Sequence, residues 1–122
     1  MKYDFDIRAV AFEDQTIEEK HNAFLSRLEG LQSPWGPIEA VPAPDCGTYT
    51  IAMINWTKMF GTKKGIGGHI LYKFRSEFTD IAFYDDKIML SFNPAKIDYR
   101  GLIDVAMPRY VAAFDGYYAE MT

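Results

Sequence analysis

At 122 residues, with 48% hydrophobic and 25% charged side chains, the chain has the composition of a folded domain, large enough to bury a core without disulfides or metals. Its net charge of -4 opposes binding to nucleic-acid phosphate and to anionic membrane surfaces. No run approaches the roughly 18 apolar residues of a spanning helix, and no apolar stretch follows basic residues at the start, so one soluble, cytoplasmic domain over residues 1–122 is expected.

Residues 2–12 alternate: Tyr3, Phe5, Ile7 and Ala9 share one face, and Lys2, Asp4, Asp6 and Arg8 the other, the period of a half-buried strand. Thr16 and Glu19 are spaced as a capping box, and Ile17, His21, Phe24, Leu25 and Leu28 recur at helical spacing until Gly30. Residues 31–47 hold four prolines (Pro34, Pro37, Pro42 and Pro44), which remove donors and restrict their neighbours. A loop of that length is a candidate site. Residues 48–58 carry apolar side chains on both faces and read as a central strand.

After a loop rich in Gly and Lys, residues 69–78 alternate again, and residues 81–84 and 87–92 flank Asp85-Asp86 as a tight hairpin. Apolar spacing marks a second helix over about 98–115, kinked or split by Pro108 and closed by Gly116, before a short edge strand over 117–121. The fold expected is α+β: an antiparallel sheet of five to six strands with two helices packed on one face, in the order β-α-β-β-β-β-α-β.

The sharpest local pattern is Thr62-Lys-Lys-Gly-Ile-Gly-Gly-His69. Gly65, Gly67 and Gly68 free the backbone to turn N–H groups toward an anion, with Lys63 and Lys64 supplying charge. Over about eight residues the string resembles the pyrophosphate loop of acetyl-CoA-dependent N-acetyltransferases, which would imply an acyl-CoA or nucleotide ligand. The alternation that follows Gly68 supplies no helix N-terminus of the kind that holds a pyrophosphate.

Other chemistry has little support. Cys46 is the sole cysteine and has no nearby histidine, His21 and His69 make no metal-ligand spacing, and no serine sits in a nucleophile elbow. Asp4 and Asp6 share their face with Lys2 and Arg8, which favours a charged outer surface over acid–base work. No catalytic residue, metal or cofactor is therefore assigned.

Two Trp, eight Tyr and nine Phe remain to be explained, 16% of the chain. Alternation sends many of them inward, but Trp35, Phe60, Tyr84, Tyr117 and Tyr118 fall in loops or at strand ends, Tyr84 beside Asp85 and Asp86. Aromatics beside charge are frequent anchors of protein interfaces. The leading expectation is a non-catalytic domain that docks a protein partner through these residues, as small inhibitors and toxin-immunity proteins do. The alternatives are a small enzyme or ligand-binding protein whose pocket lies between the Pro-rich and Gly-Lys loops, and a homodimer formed through a sheet face.

Overall fold

The first strand, β1 (Tyr3–Ala9), follows its alternation: Phe5, Ile7 and Ala9 are buried, while Asp4, Asp6 and Arg8 lie on the opposite face. The structure is a computed structural model that describes residues 2–10, 15–31, 35–38, 41–44, 46–47, 51–61, 64–73, 85–97 and 99–122. Helix α1 (Ile17–Arg27) starts at the capping box, with the Glu19 N–H donating to Thr16 Oγ1 at 3.1 Å and the Thr16 N–H to Glu19 Oε1 at 3.3 Å. Two donors without helical partners are satisfied at once.

Strands β2 (Cys46–Gly47) and β3 (Ile51–Asn55) lead into a short helix α2 (Trp56–Phe60), and β4 (Ile66–Lys73) and β5 (Asp86–Phe92) follow. A single helical run then comprises α3 (Tyr99–Gly101), a π-helical segment (Leu102–Ala106) and α4 (Met107–Ala113), before β6 (Tyr118–Met121). The six strands form one antiparallel sheet in the order β2-β3-β4-β5-β1-β6, so the protein is α+β. Cross-strand register places Ile54, Ile70, Ile88 and Ile7 in one row over four strands, all essentially inaccessible. A row of β-branched residues on a pleated surface packs without gaps and fixes the register, because a slip of one residue would expose it.

Helix α1 reaches this sheet face where the His21 and Tyr72 rings meet edge-on at 5.4 Å, and the end of α4 does so through Phe114, 6.1 Å from Tyr72 and 5.4 Å from Phe24. Trp56 stacks on Phe60 at 3.9 Å and meets Tyr110 edge-on at 5.1 Å.

Several sequence expectations change. The strand expected over 48–58 ends at Asn55, because Trp56, Met59 and Phe60 sit at helical spacing and bury together as one turn. Strand β4 begins at Ile66, not His69, so Gly67 and Gly68 are strand residues. Gly68 has φ +151°, and a Cβ there would lie 1.9 Å from the Met89 carbonyl oxygen: the glycine permits close approach of β4 to β5. Asp86 begins β5 instead of forming a turn, while residues 74–84, including the strand expected over 81–84, lie outside the described residues.

Pro108 interrupts the regular α-helical pattern of the run from α3 to α4 without ending it. Lacking an N–H, it cannot complete the usual bond one turn back, and the backbone widens to π spacing before it. Asp115, with φ 55°, takes the left-handed position after α4, one residue before Gly116. Gly116 is required for a different reason, since a Cβ there would meet Ile7 Cγ2 at 2.8 Å.

Candidate functional site

The aromatics singled out by sequence divide sharply. Trp35 is 8% exposed, and its carbonyl accepts a 2.6 Å hydrogen bond from the Tyr110 hydroxyl, whose pKa burial raises. Phe60 is 2% exposed in the stack with Trp56. Both are core residues rather than partner anchors. Loop position alone misleads here, because the chain folds back: the Ile38 N–H donates to the Met59 carbonyl at 2.7 Å, laying the Pro-rich segment on α2.

Asp86 is also internal. Its Oδ2 lies 3.0 Å from Lys20 Nζ, its Oδ1 accepts the Lys73 N–H at 2.7 Å, and Lys20 Nζ also donates to the Lys73 carbonyl. Burial raises the Asp86 carboxyl above its usual range, against the opposing pull of Lys20 and of the Lys73 N–H. Beside it, His21 Nε2 faces the Pro42 carbonyl at 3.1 Å and Nδ1 faces the Tyr72 hydroxyl at 2.9 Å. A carbonyl only accepts, so Nε2 carries the proton and Tyr72 donates to Nδ1. Burial lowers the His21 pKa and raises that of Tyr72, which keeps both neutral.

Lys, Asp, Tyr and His together have the composition of an acid–base centre, but the cavity bordered by Lys20, Tyr72 and Asp86 measures only about 30 Å³, room for little more than a water molecule. The network joins α1 to β4 and β5, and the cavity among the described residues is too small for a substrate. Among the described residues, no group of three His, Cys, Asp or Glu is placed to hold a metal ion.

Gly65, with φ +89°, makes the turn before β4, packed against Lys96 and Ile97, and Lys64 is exposed beside it. Lys63, Thr62 and Tyr84 lie outside the described residues. Pro37 and Ile38 of the Pro-rich segment line a groove against α1, whereas Gly65 and Gly67 line a separate one with Lys2, Ser91 and Lys96. The expected shared pocket is absent among the described residues.

The exposed residues converge elsewhere, at the corner where β1, β5 and β6 meet. Tyr117 is 60% exposed and its hydroxyl donates to Asp85; Tyr118 is 40% exposed and donates to Glu120. These acceptors raise both phenol pKa values, keeping the rings neutral donors. The Arg8 guanidinium lies 5.6 Å from the Tyr118 ring centroid and 3.3 Å from Asp6 Oδ2. Val10 and Met121 add exposed apolar surface at the same corner and along β6.

Strand β6 closes one end of the sheet, and all four of its residues are exposed. Asp4 and Thr122 exchange backbone hydrogen bonds at 2.8 and 2.9 Å, so Asp6 and Glu120, two residues along, form the next bonded pair. Alternation then turns the N–H and C=O groups of Ala119 and Met121 away from β1. Among the described residues no strand pairs with them. Sequence reasoning included Tyr117 and Tyr118 but missed Ala119, Met121 and Arg8, since strand order across a sheet has no local signature.

No helix among the described residues is long and apolar enough to cross a membrane. Comparison with protein-family models, curated proteins and solved structures finds no match.

Proposed function

We propose that this chain is a non-catalytic protein-binding domain that takes up an extended segment of its partner on the outer edge of β6. The observation that carries this reading is the outward-facing pair Ala119 and Met121, flanked by exposed Tyr117 and Tyr118. Edge strands normally carry lysine, proline or a bulge that discourages pairing, and β6 (Tyr-Ala-Glu-Met) has neither lysine nor proline. Two outward residues offer at most four backbone hydrogen bonds, so affinity must come largely from side chains beside them. The tyrosine pair with Arg8 and Asp85 supplies such anchors.

Proline substitution tests this directly. Ala119→Pro deletes a donor that points away from the protein, whereas Glu120→Pro deletes one that points into β1. In parallel affinity captures from extracts of the source organism, wild type is expected to retain a polypeptide that Ala119→Pro loses while keeping its native circular dichroism. Equal retention by both proteins would refute the edge as the docking site.

A further inference from the structure

The chemistry on either side of β6 says what kind of strand fits it, and this inference rests on the edge reading above. A strand paired with β6 places its side chains in register with those of β6, with directly opposed Cβ atoms about 5 Å apart. On the core-facing side these neighbours are Ala119 and Met121. Met121 also borders an apolar groove of about 330 Å³ completed by Tyr3, Phe92, Pro94, Tyr99 and Ile103. Apolar side chains entering beside Ala119 and Met121 would extend that surface.

The other side carries unbalanced negative charge. Asp6 and Glu120 stand directly opposite each other on β1 and β6, an arrangement that like charges disfavour. Arg8 serves Asp6 through Oδ2, but Asp6 Oδ1 is enclosed and has no hydrogen-bond partner. Glu120 accepts from the neutral Tyr118 hydroxyl and makes no ion pair among the described residues. A cation arriving opposite Glu120 on the open edge would complete this cluster, in keeping with the net charge of -4.

We infer that the partner strand carries an apolar-basic-apolar triplet: Lys or Arg opposite Glu120, between apolar residues opposite Ala119 and Met121. The same charges disfavour a second copy of this chain. Antiparallel pairing of two β6 strands sets Glu120 against Glu120 in one register and against Tyr118 in the register centred on Ala119, and neither brings a cation.

The test uses fluorescein-labelled Ser-Thr-Val-Arg-Leu-Thr-Ser, the same peptide with Glu in place of Arg, and the same peptide with Ser in place of Val and Leu, titrated by anisotropy into the full chain. Wild type is expected to bind the Arg peptide roughly tenfold more tightly than the Glu peptide. It should bind the Ser-substituted peptide more weakly as well. Glu120→Lys, an exposed substitution, should invert the charge preference, and Ala119→Pro should abolish binding of all three. Equal affinity for the Arg and Glu peptides, a preference unchanged in Glu120→Lys, or no binding of any peptide would overturn the triplet, and the edge reading would still be decided by the Ala119→Pro capture. A concentration-dependent dimer in sedimentation that Ala119→Pro dissolves would overturn it in favour of a second copy.

Discussion

Replacing Lys20 with Met removes the amine that sits 3.0 Å from Asp86 while keeping a side chain of similar length, and both groups of the pair are more than nine-tenths buried. At that separation, and at an effective dielectric of about 20, the gross attraction is about 5 kcal/mol, most of it offset in the native protein by the desolvation of two ions. Removing one partner leaves the offset in place: Asp86 remains buried with the Lys73 N–H at 2.7 Å, and the Lys73 carbonyl loses its donor. The expected cost of Lys20→Met is about 3–5 kcal/mol, a large part of the 5–15 kcal/mol typical of a domain. Lys20→Met with Asp86→Asn should be less costly than Lys20→Met alone, because the amide keeps an acceptor for the Lys73 N–H without the stranded charge. Urea denaturation at neutral pH measures both. Stranding also implies that the Lys20→Met deficit shrinks in acid as Asp86 takes up a proton. A loss below about 1 kcal/mol, or a double variant less stable than the single, would refute the stranded-charge reasoning.

Protonation of His21 is disfavoured in the fold, since burial lowers its pKa below the usual 6.5. The unfolded chain therefore binds more protons below pH 6.5, so stability present above that value should fall as pH drops through the lowered native pKa, and His21→Gln should flatten this part of the profile in pH-dependent urea melts. Gly68→Ala, which drives a Cβ into the Met89 carbonyl, should cost more than about 2 kcal/mol, whereas Gly67→Ala, with nothing within 4 Å of its Cβ, should stay within about 1 kcal/mol of wild type. Thermal melts of the two variants distinguish these outcomes. Tyr110→Phe should lose about 1–2 kcal/mol by leaving the Trp35 carbonyl without its buried donor, again measured by urea denaturation.

Where local chemistry decides the structure, it was legible beforehand. The alternation of β1 and the Thr16–Glu19 box each depend on a few neighbouring residues and appear as read. The short helix α2 escaped because apolar residues on both faces of residues 51–60 satisfy a buried strand and a buried turn equally. Trp35 has no periodicity to report its burial, which depends on a loop folding back onto α4, whereas Phe60 is buried by the turn of α2 in which it is spaced with Trp56 and Met59. The Lys20–Asp86 pair did leave a trace. Asp86 is in phase with Ile88, Leu90 and Phe92, and Lys20 lies three residues from Ile17 and four from Phe24, so both occupy apolar stripes. Their charges masked a shared inward direction that alternation and helical spacing both specify. The open edge of β6 needed the strand order 5-1-6, which no stretch of sequence contains.

The most direct measurement is residue-resolved amide hydrogen exchange along β6, first on the free chain and then with saturating Ser-Thr-Val-Arg-Leu-Thr-Ser. In the free chain the Glu120 and Thr122 amides, which face β1, should exchange slowly, and the outward Ala119 and Met121 amides rapidly. Peptide should slow Ala119 and Met121 selectively. If both are already protected in the free monomer, or stay fast while peptide is bound, β6 is not the edge on which this protein takes up its partner.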